Sequence, residues 1–316
     1  MRLGDLAFHL GEFAVGLGAH AEAVPLAREQ LGIAPPFGRV GAMVALGAFP
    51  NLSPTFLDLM MMAQPGETRI QLCGRFVLRL DGRRVEEALP GDKGQLLFAY
   101  LVLNRLRRID RDELLIAVYG EEVTPDHQPR LSVLLSKLRR VIGPERLTGR
   151  AQLELVLPAG AFVDVEAALE GLHRAESHVA AGEWAEAWGP AGIAYHVASR
   201  PLLQGHDQPW LDEWRRRLDD IRLRGLECFA EARLGLGGPT LPQAADCARQ
   251  LIELAPFRET GYLILMKSLA EGGNVAEALR VYDRLRLLLH DELGIAPSPA
   301  VQSVYRRLLG KATTTV

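Results

Sequence analysis

Hydrophobic and polar positions follow two different periods along the chain. Around the Asp81-Gly82 turn they alternate with a period of two, which predicts the short strands Thr68–Leu72 and Arg75–Leu80. From residue 163 onward the apolar positions recur every three or four residues, which is typical of amphipathic helices. The predicted fold class is therefore mainly α with a small β component.

The segment after the strand pair begins with two predicted helices. Lys93–Leu103 is a long apolar run, which predicts a buried helix. Asp110 then precedes the helix Arg111–Tyr119, and Glu113 stands three residues after it. This D-x-x-E spacing predicts a capping box, in which the two carboxylates satisfy backbone N–H groups of the first turn.

A third helix and a hairpin complete a recognisable order. The helix is expected to begin near Pro129, since proline suits a first turn, and to end at Ile142 before Gly143-Pro144. Leu147–Leu157 predicts a β-hairpin that turns at Thr148-Gly149-Arg150. A strand pair, three helices and a hairpin are the elements of a winged helix-turn-helix.

The third predicted helix has two different faces. Its apolar stripe follows the spacing i, i+4, i+7, i+11 and consists of Leu131, Leu135, Leu138 and Ile142. Its opposite face carries small and basic side chains, namely Arg130, Val133, Ser136, Lys137 and Arg140. Small side chains allow close approach to base edges, while arginine and lysine reach guanine or phosphate. The spacing therefore predicts a helix that reads the major groove.

Charge is distributed unevenly, and the winged-helix segment is the basic part of the chain. Residues 67–150 carry a net charge of +4, whereas residues 1–66 carry −2 and residues 151–316 carry −5. Within residues 127–150, six cations stand against Glu145 alone. This polarity favours a polyanion, here double-stranded DNA, and leaves a solvated helix face as the alternative. The predicted DNA contacts are Arg130, Val133, Ser136, Lys137, Arg139, Arg140, Arg146 and Arg150.

The C-terminal half predicts paired helices of the tetratricopeptide-like kind. The expected helices are Val163–Ala181, Trp184–Ser199, Pro209–Gly235, Leu241–Leu254, Glu259–Glu271 and Val275–Leu293. The start pattern G-x-x-A-E-A occurs in both GEWAEAWGPAGIA and GNVAEALRVYDRL. Four tryptophans are interpreted as core between helices rather than a ligand cage, namely Trp184, Trp188, Trp210 and Trp214.

Composition and motifs exclude several other classes. Three cysteines far apart give no disulfide framework, and no apolar stretch is long enough for a spanning helix, so we expect a cytoplasmic protein with no membrane partner. The histidines lack metal-ligand spacing, and P-loop, nucleophile-elbow, zincin and kinase motifs are missing. We expect no catalytic residues, no metal and no cofactor.

Five longer segments occur in order between residues 110 and 310, and they carry a resemblance that extends over residues 69–310. They are DRDELLIAVYGEE, RLSVLLSKLRRVIG, FVDVEAALE, PWLDEWRRRLDDIRLRGLECFAEARLGLG and EALRVYDRLRLLLHDELGIAPSPAVQSVYRRLLG. Together they resemble the SARP/AfsR-type bacterial transcriptional regulators, which join an OmpR-type winged helix to a bacterial transcriptional activation domain. The resemblance implies dimerisation and contact with RNA polymerase subunits.

Three regions and two functions follow. Residues 1–66 are a helical extension of unknown role, residues 67–160 a winged-helix DNA-binding domain, and residues 161–316 a tetratricopeptide-like activation domain. The predicted function is sequence-specific transcriptional regulation, as an activator that binds direct repeats as a homodimer and recruits RNA polymerase. The alternative is a helical-repeat ligand sensor or scaffold whose winged helix contacts protein. An unknown small-molecule effector is compatible with both.

Overall fold

The protein is seen here as a computed structural model, which describes residues 68–314, with side chains as far as Gly310. The predicted N-terminal extension, residues 1–66, lies outside the described residues. The other two predicted regions can therefore be compared with the fold element by element.

The described chain begins with a small sheet. Its strands are β1 (Arg69–Gln71), β2 (Val77–Leu80) and β3 (Arg83–Arg84), joined later by β7 (Phe162–Val163) in the order β3-β2-β1-β7. The first three strands pair antiparallel, with Ile70 opposite Leu78. At the predicted turn, Asp81 and Gly82 both have positive φ, 49° and 81°, a conformation that tight hairpins require. Both predicted strands are present, although each is shorter than expected.

Three helices and a second sheet form the winged helix. The helices are α1 (Gly91–Leu103), α2 (Arg111–Tyr119) and α3 (His127–Ile142). The strands are β4 (Ile109–Asp110), β5 (Leu147–Thr148) and β6 (Gln152–Leu155), in the order β4-β6-β5. The hairpin of β5 and β6 is the wing, so the predicted winged-helix order is confirmed. Pro129 lies in the first turn of α3, which begins two residues earlier.

The predicted capping box at α2 is wrong. Asp110 has extended backbone angles at the N-cap, but its side chain caps no backbone N–H. The Glu113 carboxylate instead accepts hydrogen bonds from the Tyr100 hydroxyl and the Arg107 guanidinium. A charged partner attracts a carboxylate more strongly than a neutral backbone amide does. Arg107 accordingly holds the pKa of Glu113 below its usual range.

Seven α-helices follow the winged helix in the described part of the chain. They are α4 (Asp164–Ala181), α5 (Trp184–Ala198), α6 (Pro209–Leu236), α7 (Leu241–Leu254), α8 (Glu259–Glu271), α9 (Val275–Leu293) and α10 (Pro299–Thr314). Consecutive helices pack against each other, as tetratricopeptide-like units do. The six predicted helices are confirmed, three of them to the residue. The seventh, α10, is an addition to the prediction.

Two hydrophobic cores lie in the described chain, and the first crosses from the winged helix into the helical part. It combines winged-helix residues such as Phe98 and Leu135 with Val165, Leu172 and Leu211. The second core lies mainly among α6 to α10, around Tyr262 and Leu285, and also takes in Ala175 of α4 and Ala191 of α5. The winged helix and the first helices of the second half are therefore packed together as one body.

Asp164, the first residue of α4, joins the winged helix to the helical part through its carboxylate. Its buried carboxylate accepts hydrogen bonds from the backbone N–H groups of Leu72 at 3.0 Å, Cys73 at 2.8 Å and Val165 at 2.9 Å. Burial raises the pKa of Asp164 to about 6, although the three amide bonds oppose that rise. The carboxylate thus links the two residues that follow β1 to the start of the helical domain.

Trp210 forms a second link between the two parts. Its indole N–H donates to the carbonyl oxygen of Ala117 in α2 at 3.0 Å, and its ring stands edge-on to Tyr100, with centroids 4.9 Å apart. A side chain interpreted from sequence as core between C-terminal helices therefore docks α6 onto the winged helix. Trp188 packs against the second core, as that interpretation expected.

Candidate nucleic-acid interface

The helix α3 is anchored by its apolar stripe. The four predicted stripe residues Leu131, Leu135, Leu138 and Ile142 are all at most 1% exposed, and Leu134 is buried beside them. These side chains pack in the first core with residues of α1 and α2. The predicted apolar face is confirmed, and it fixes which side of α3 points away from the protein.

The opposite face of α3 is exposed as the spacing predicts. Its five predicted side chains are all exposed, namely Arg130, Val133, Ser136, Lys137 and Arg140. Ten residues separate the first from the last, which corresponds to about 15 Å along a helix. Within the described chain, none of the three cations on this face forms an ion pair. The face therefore combines free positive charge with small side chains.

Arg139 is placed differently. It is half-buried, and its guanidinium donates to the carbonyl oxygens of Leu147 at 3.0 Å and Gly149 at 2.7 Å. Both acceptors belong to the wing. Arg139 thus connects the wing to α3. Only the guanidinium N–H groups that are not bonded to the wing remain to donate to an outside partner.

Arg146 is also held within the protein. Its side chain is only 18% exposed and forms an ion pair with Asp81 at 2.8 Å. The same guanidinium donates to the carbonyl oxygen of Ile142, also at 2.8 Å, at the end of α3. The carboxylate neutralises this cation, so Arg146 joins the β2–β3 turn to α3 and contributes little net positive charge outward.

The tip of the wing presents Arg150. This side chain is exposed and forms no ion pair in the part of the chain that the structure describes. Gly149 beside it has φ of 87°, and a Cβ at that position would stand 1.8 Å from the carbonyl oxygen of Gln152. Only glycine fits this turn, so the position of Arg150 is set by the backbone of its neighbour.

A set of side-chain contacts holds the start of α3 against α2, and the sequence pattern does not predict it. Arg111, the first residue of α2, donates to the Ser132 hydroxyl and to the Gln128 side chain oxygen, the latter at 3.3 Å. His127 stacks on Tyr119 with ring centroids 4.4 Å apart. These contacts set the angle between α2 and α3. No spacing rule identifies them, because the partners come from two helices.

The exposed charge of the site is positive. Arg130, Lys137, Arg140 and Arg150 present charge along α3 and the wing tip, and Glu145 is the acidic side chain of the segment 127–150. Among residues 68–314 no group of three or more metal-ligating side chains is found. The described helices include none that is both long and apolar enough to cross a membrane.

Known proteins with similar sequences are regulators. Residues 163–309 match the bacterial transcriptional activator domain family. Regulatory protein AfsR of Streptomyces coelicolor is 30% identical over 78% of this chain and 24% of its own length. Transcriptional regulatory protein EmbR of Mycobacterium tuberculosis is 28% identical over 75% of this chain and 62% of its own length.

The fold has a solved counterpart. A structure of Mycobacterium tuberculosis EmbR in complex with a low-affinity phosphopeptide superimposes with a TM-score of 0.67. It covers 78% of this chain and 65% of the EmbR chain, at 22% sequence identity, so the likeness concerns the fold. The chain spans about a quarter of the AfsR sequence and less than two thirds of EmbR. Within that span, a winged helix is followed by a segment that matches the activator domain, and the domain match, the similar regulators and the shared fold together support a SARP-type transcriptional regulator.

Proposed function

We propose that the protein is a sequence-specific DNA-binding transcriptional regulator that acts as an activator. The observation that carries the proposal is the exposed face of α3, where Arg130, Lys137 and Arg140 form no ion pair within the described chain. Three unpaired cations on one side of a firmly anchored helix form a surface that a phosphate backbone would neutralise.

The order of side chains along α3 assigns their roles. Val133 and Ser136 are small enough for the helix to approach base edges, and a valine methyl can contact the thymine methyl group. Arg130 lies at the N-terminal end of α3 and contacts bases, because recognition helices usually contact base edges through their N-terminal residues. Lys137 and Arg140 lie further along and bind phosphate, with Arg150 on the flanking backbone or minor groove.

The helical domain supplies the other partners. Residues 151–316 have a net charge of −5, so this part of the chain repels DNA and is suited to protein contacts. The activator-domain match and the regulators among the relatives support recruitment of RNA polymerase through α4 to α10. Two protomers on a direct repeat would place their α3 helices in successive major grooves.

Salt dependence of duplex binding tests the proposal. Each phosphate contact contributes about −0.9 to the slope of log affinity against log salt. Replacing Lys137 and Arg140 by alanine should therefore flatten the slope by about 1.8. The matched control replaces Arg306 and Arg307, two exposed arginines of α10, and changes the net charge equally. Equal slopes for the two double variants, or a wild-type slope near zero, would refute the proposal.

A protein-contact role for the winged helix is the second candidate. It is favoured by Arg139 and Arg146, two of the predicted DNA-contacting cations, because both are engaged inside the protein. In that case the folded wild type would show no salt-dependent affinity for duplex DNA, and the exposed face of α3 would bind an acidic protein surface instead.

A further inference from the structure

A buried cation without a carboxylate partner lies between the helices α5, α6 and α7. Arg233 of α6 is 8% exposed. Its guanidinium donates to the Cys247 sulfur at 3.1 Å and lies over the Phe229 ring, 4.1 Å from the centroid. Within the described chain it forms no ion pair. A buried charge is costly unless an opposite charge compensates it, and π faces and a thiol compensate it only in part.

The Cys247 sulfur does not provide the missing negative charge. Burial raises the pKa of this thiol, so the sulfur is neutral at physiological pH although Arg233 acts in the opposite direction. Asp246, the carboxylate next to it, forms its own ion pair with Arg249 at 2.8 Å. The positive charge of Arg233 therefore remains without a counterion.

A second donor in the same place also lacks a partner. The indole N–H of Trp188 in α5 is buried and has no hydrogen-bond acceptor. The Arg233 guanidinium carbon is 6.0 Å from the Trp188 ring centroid, and the Trp188 and Phe229 rings are stacked 6.3 Å apart. Buried polar groups in native proteins are nearly always paired, so an indole N–H without an acceptor, beside a guanidinium without a carboxylate, makes this place suited to an anionic acceptor.

His196 shows that the neighbourhood is positive. Its ring stands edge-on to Phe229, with centroids 6.1 Å apart. Burial lowers the pKa of His196, and Arg200 and Arg233 lower it further. The Arg233 cluster, which we define as Trp188, His196, Phe229, Arg233 and Cys247, thus combines hydrogen-bond donors, positive charge and aromatic surface.

We propose that the Arg233 cluster binds a small organic anion, in which a carboxylate or phosphate group is attached to an aromatic or apolar body. The anionic group would accept from Arg233 and from the Trp188 indole, as charge-assisted hydrogen bonds to a guanidinium are among the stronger ones. The body would lie against the half-buried Trp188 ring, because Phe229 is buried and already covered by Arg233. Such a ligand would connect the helices α5, α6 and α7 of the activator domain. This site is separate from the exposed face of α3 that is proposed to bind DNA.

Three probes separate charge from shape. Benzoate and phenyl phosphate carry the two anionic groups on an aromatic ring, and benzyl alcohol is the uncharged control. Each is titrated by calorimetry into the full chain and tested for a shift of the melting temperature at about 10 mM. At least one anion should bind and raise the melting temperature, while benzyl alcohol should not.

Substitutions in the Arg233 cluster test whether the anion binds there. Arg233→Met keeps the stem over Phe229 but removes the charge, and should weaken anion binding at least tenfold, about the effect of losing one charge-assisted bond. Trp188→Phe keeps a ring but removes the indole N–H, and should weaken it several-fold. Arg306→Met, a change at an exposed arginine of α10 outside the cluster, should leave the affinity unchanged.

The outcomes are distinct from those of the DNA experiment. The Lys137→Ala/Arg140→Ala protein should bind the anions as tightly as wild type, since its changes lie on α3. If neither anion binds the wild type, or if Arg233→Met and Trp188→Phe both bind as tightly as wild type, the proposal is wrong. Should Arg233→Met fail to fold, Trp188→Phe and the wild type still decide between these outcomes.

Discussion

Replacing Asp164 by alanine should loosen the junction between the winged helix and the helical domain. The change leaves the backbone N–H groups of Leu72, Cys73 and Val165 without their acceptor in a buried place. An unsatisfied buried donor costs about 1–3 kcal/mol, so three of them cost roughly 6 kcal/mol. No other described side chain is placed to take over all three bonds.

The substitution also removes an unfavourable contribution. Burial raises the pKa of Asp164 from 3.8 to about 6, and a shift of one pKa unit corresponds to about 1.36 kcal/mol. At pH 7 the ionised, buried carboxylate therefore costs roughly 3 kcal/mol, which alanine would relieve. The expected net loss in the free energy of unfolding is about 3 kcal/mol at pH 7.

Urea unfolding followed by tryptophan fluorescence measures this loss. All four tryptophans lie in α5 and α6, and Trp210 reports directly on the junction. The control is Asp212→Ala, since Asp212 is exposed and pairs with Arg215 at 3.2 Å, an interaction that contributes at most about 1 kcal/mol. If both variants lose the same small amount, Asp164 does not hold the junction and the reasoning is wrong.

Three further results are expected. Because its folded pKa is raised, the contribution of Asp164 to stability is largest below pH 4 and falls as pH rises through 6. The difference in unfolding free energy between wild type and Asp164→Ala should therefore grow by about 1 kcal/mol from pH 7.5 to pH 5, and a constant difference contradicts this. Trp210→Phe keeps the contact with Tyr100 but loses the bond to Ala117, and chemical denaturation should show a loss of about 1 kcal/mol. Arg139→Ala should weaken DNA binding by releasing the wing while the salt slope stays that of wild type, whereas a slope flatter by about 0.9 would make Arg139 a phosphate contact.

Periodic signals and strong breaks made most of the fold predictable. The helices α7, α8 and α9 begin and end at the predicted residues because breaks such as Ala255-Pro256 and Gly272-Gly273 stand between them. The apolar stripe of α3 was equally clear, since one helix face alone decides it. Local pattern was sufficient wherever the structure depends on neighbours within a few residues.

Long-range partners were not predictable. The strand β7 has two residues and pairs with β1, more than ninety positions earlier, so no alternation reveals it. Glu113 fitted the capping rule, but the fold brought Arg107 and Tyr100 to it. The motif FVDVEAALE carries part of the family resemblance, but the role of Asp164 within it depends on the position of α4 beside β1, which no local pattern indicates.

The candidate site also has features that the sequence pattern predicts and features that it does not. The helical spacing located the exposed Arg130, Val133, Ser136, Lys137 and Arg140 correctly on one face, because exposure opposite an apolar stripe follows from helix geometry. Charge alone could not distinguish Arg140, which is exposed and unpaired, from Arg139, which is bonded to the wing. That distinction depends on where the hairpin folds back.

Sequencing of genomic DNA fragments retained by the purified protein tests the central claim most directly. The wild type, the Lys137→Ala/Arg140→Ala variant and the Arg306→Ala/Arg307→Ala control are compared at one salt concentration. The account predicts a repeated motif upstream of genes for the wild type and the control, and its loss in the α3 variant. Recovery of no motif by the folded wild type, or of the same motif by the α3 variant, would contradict it.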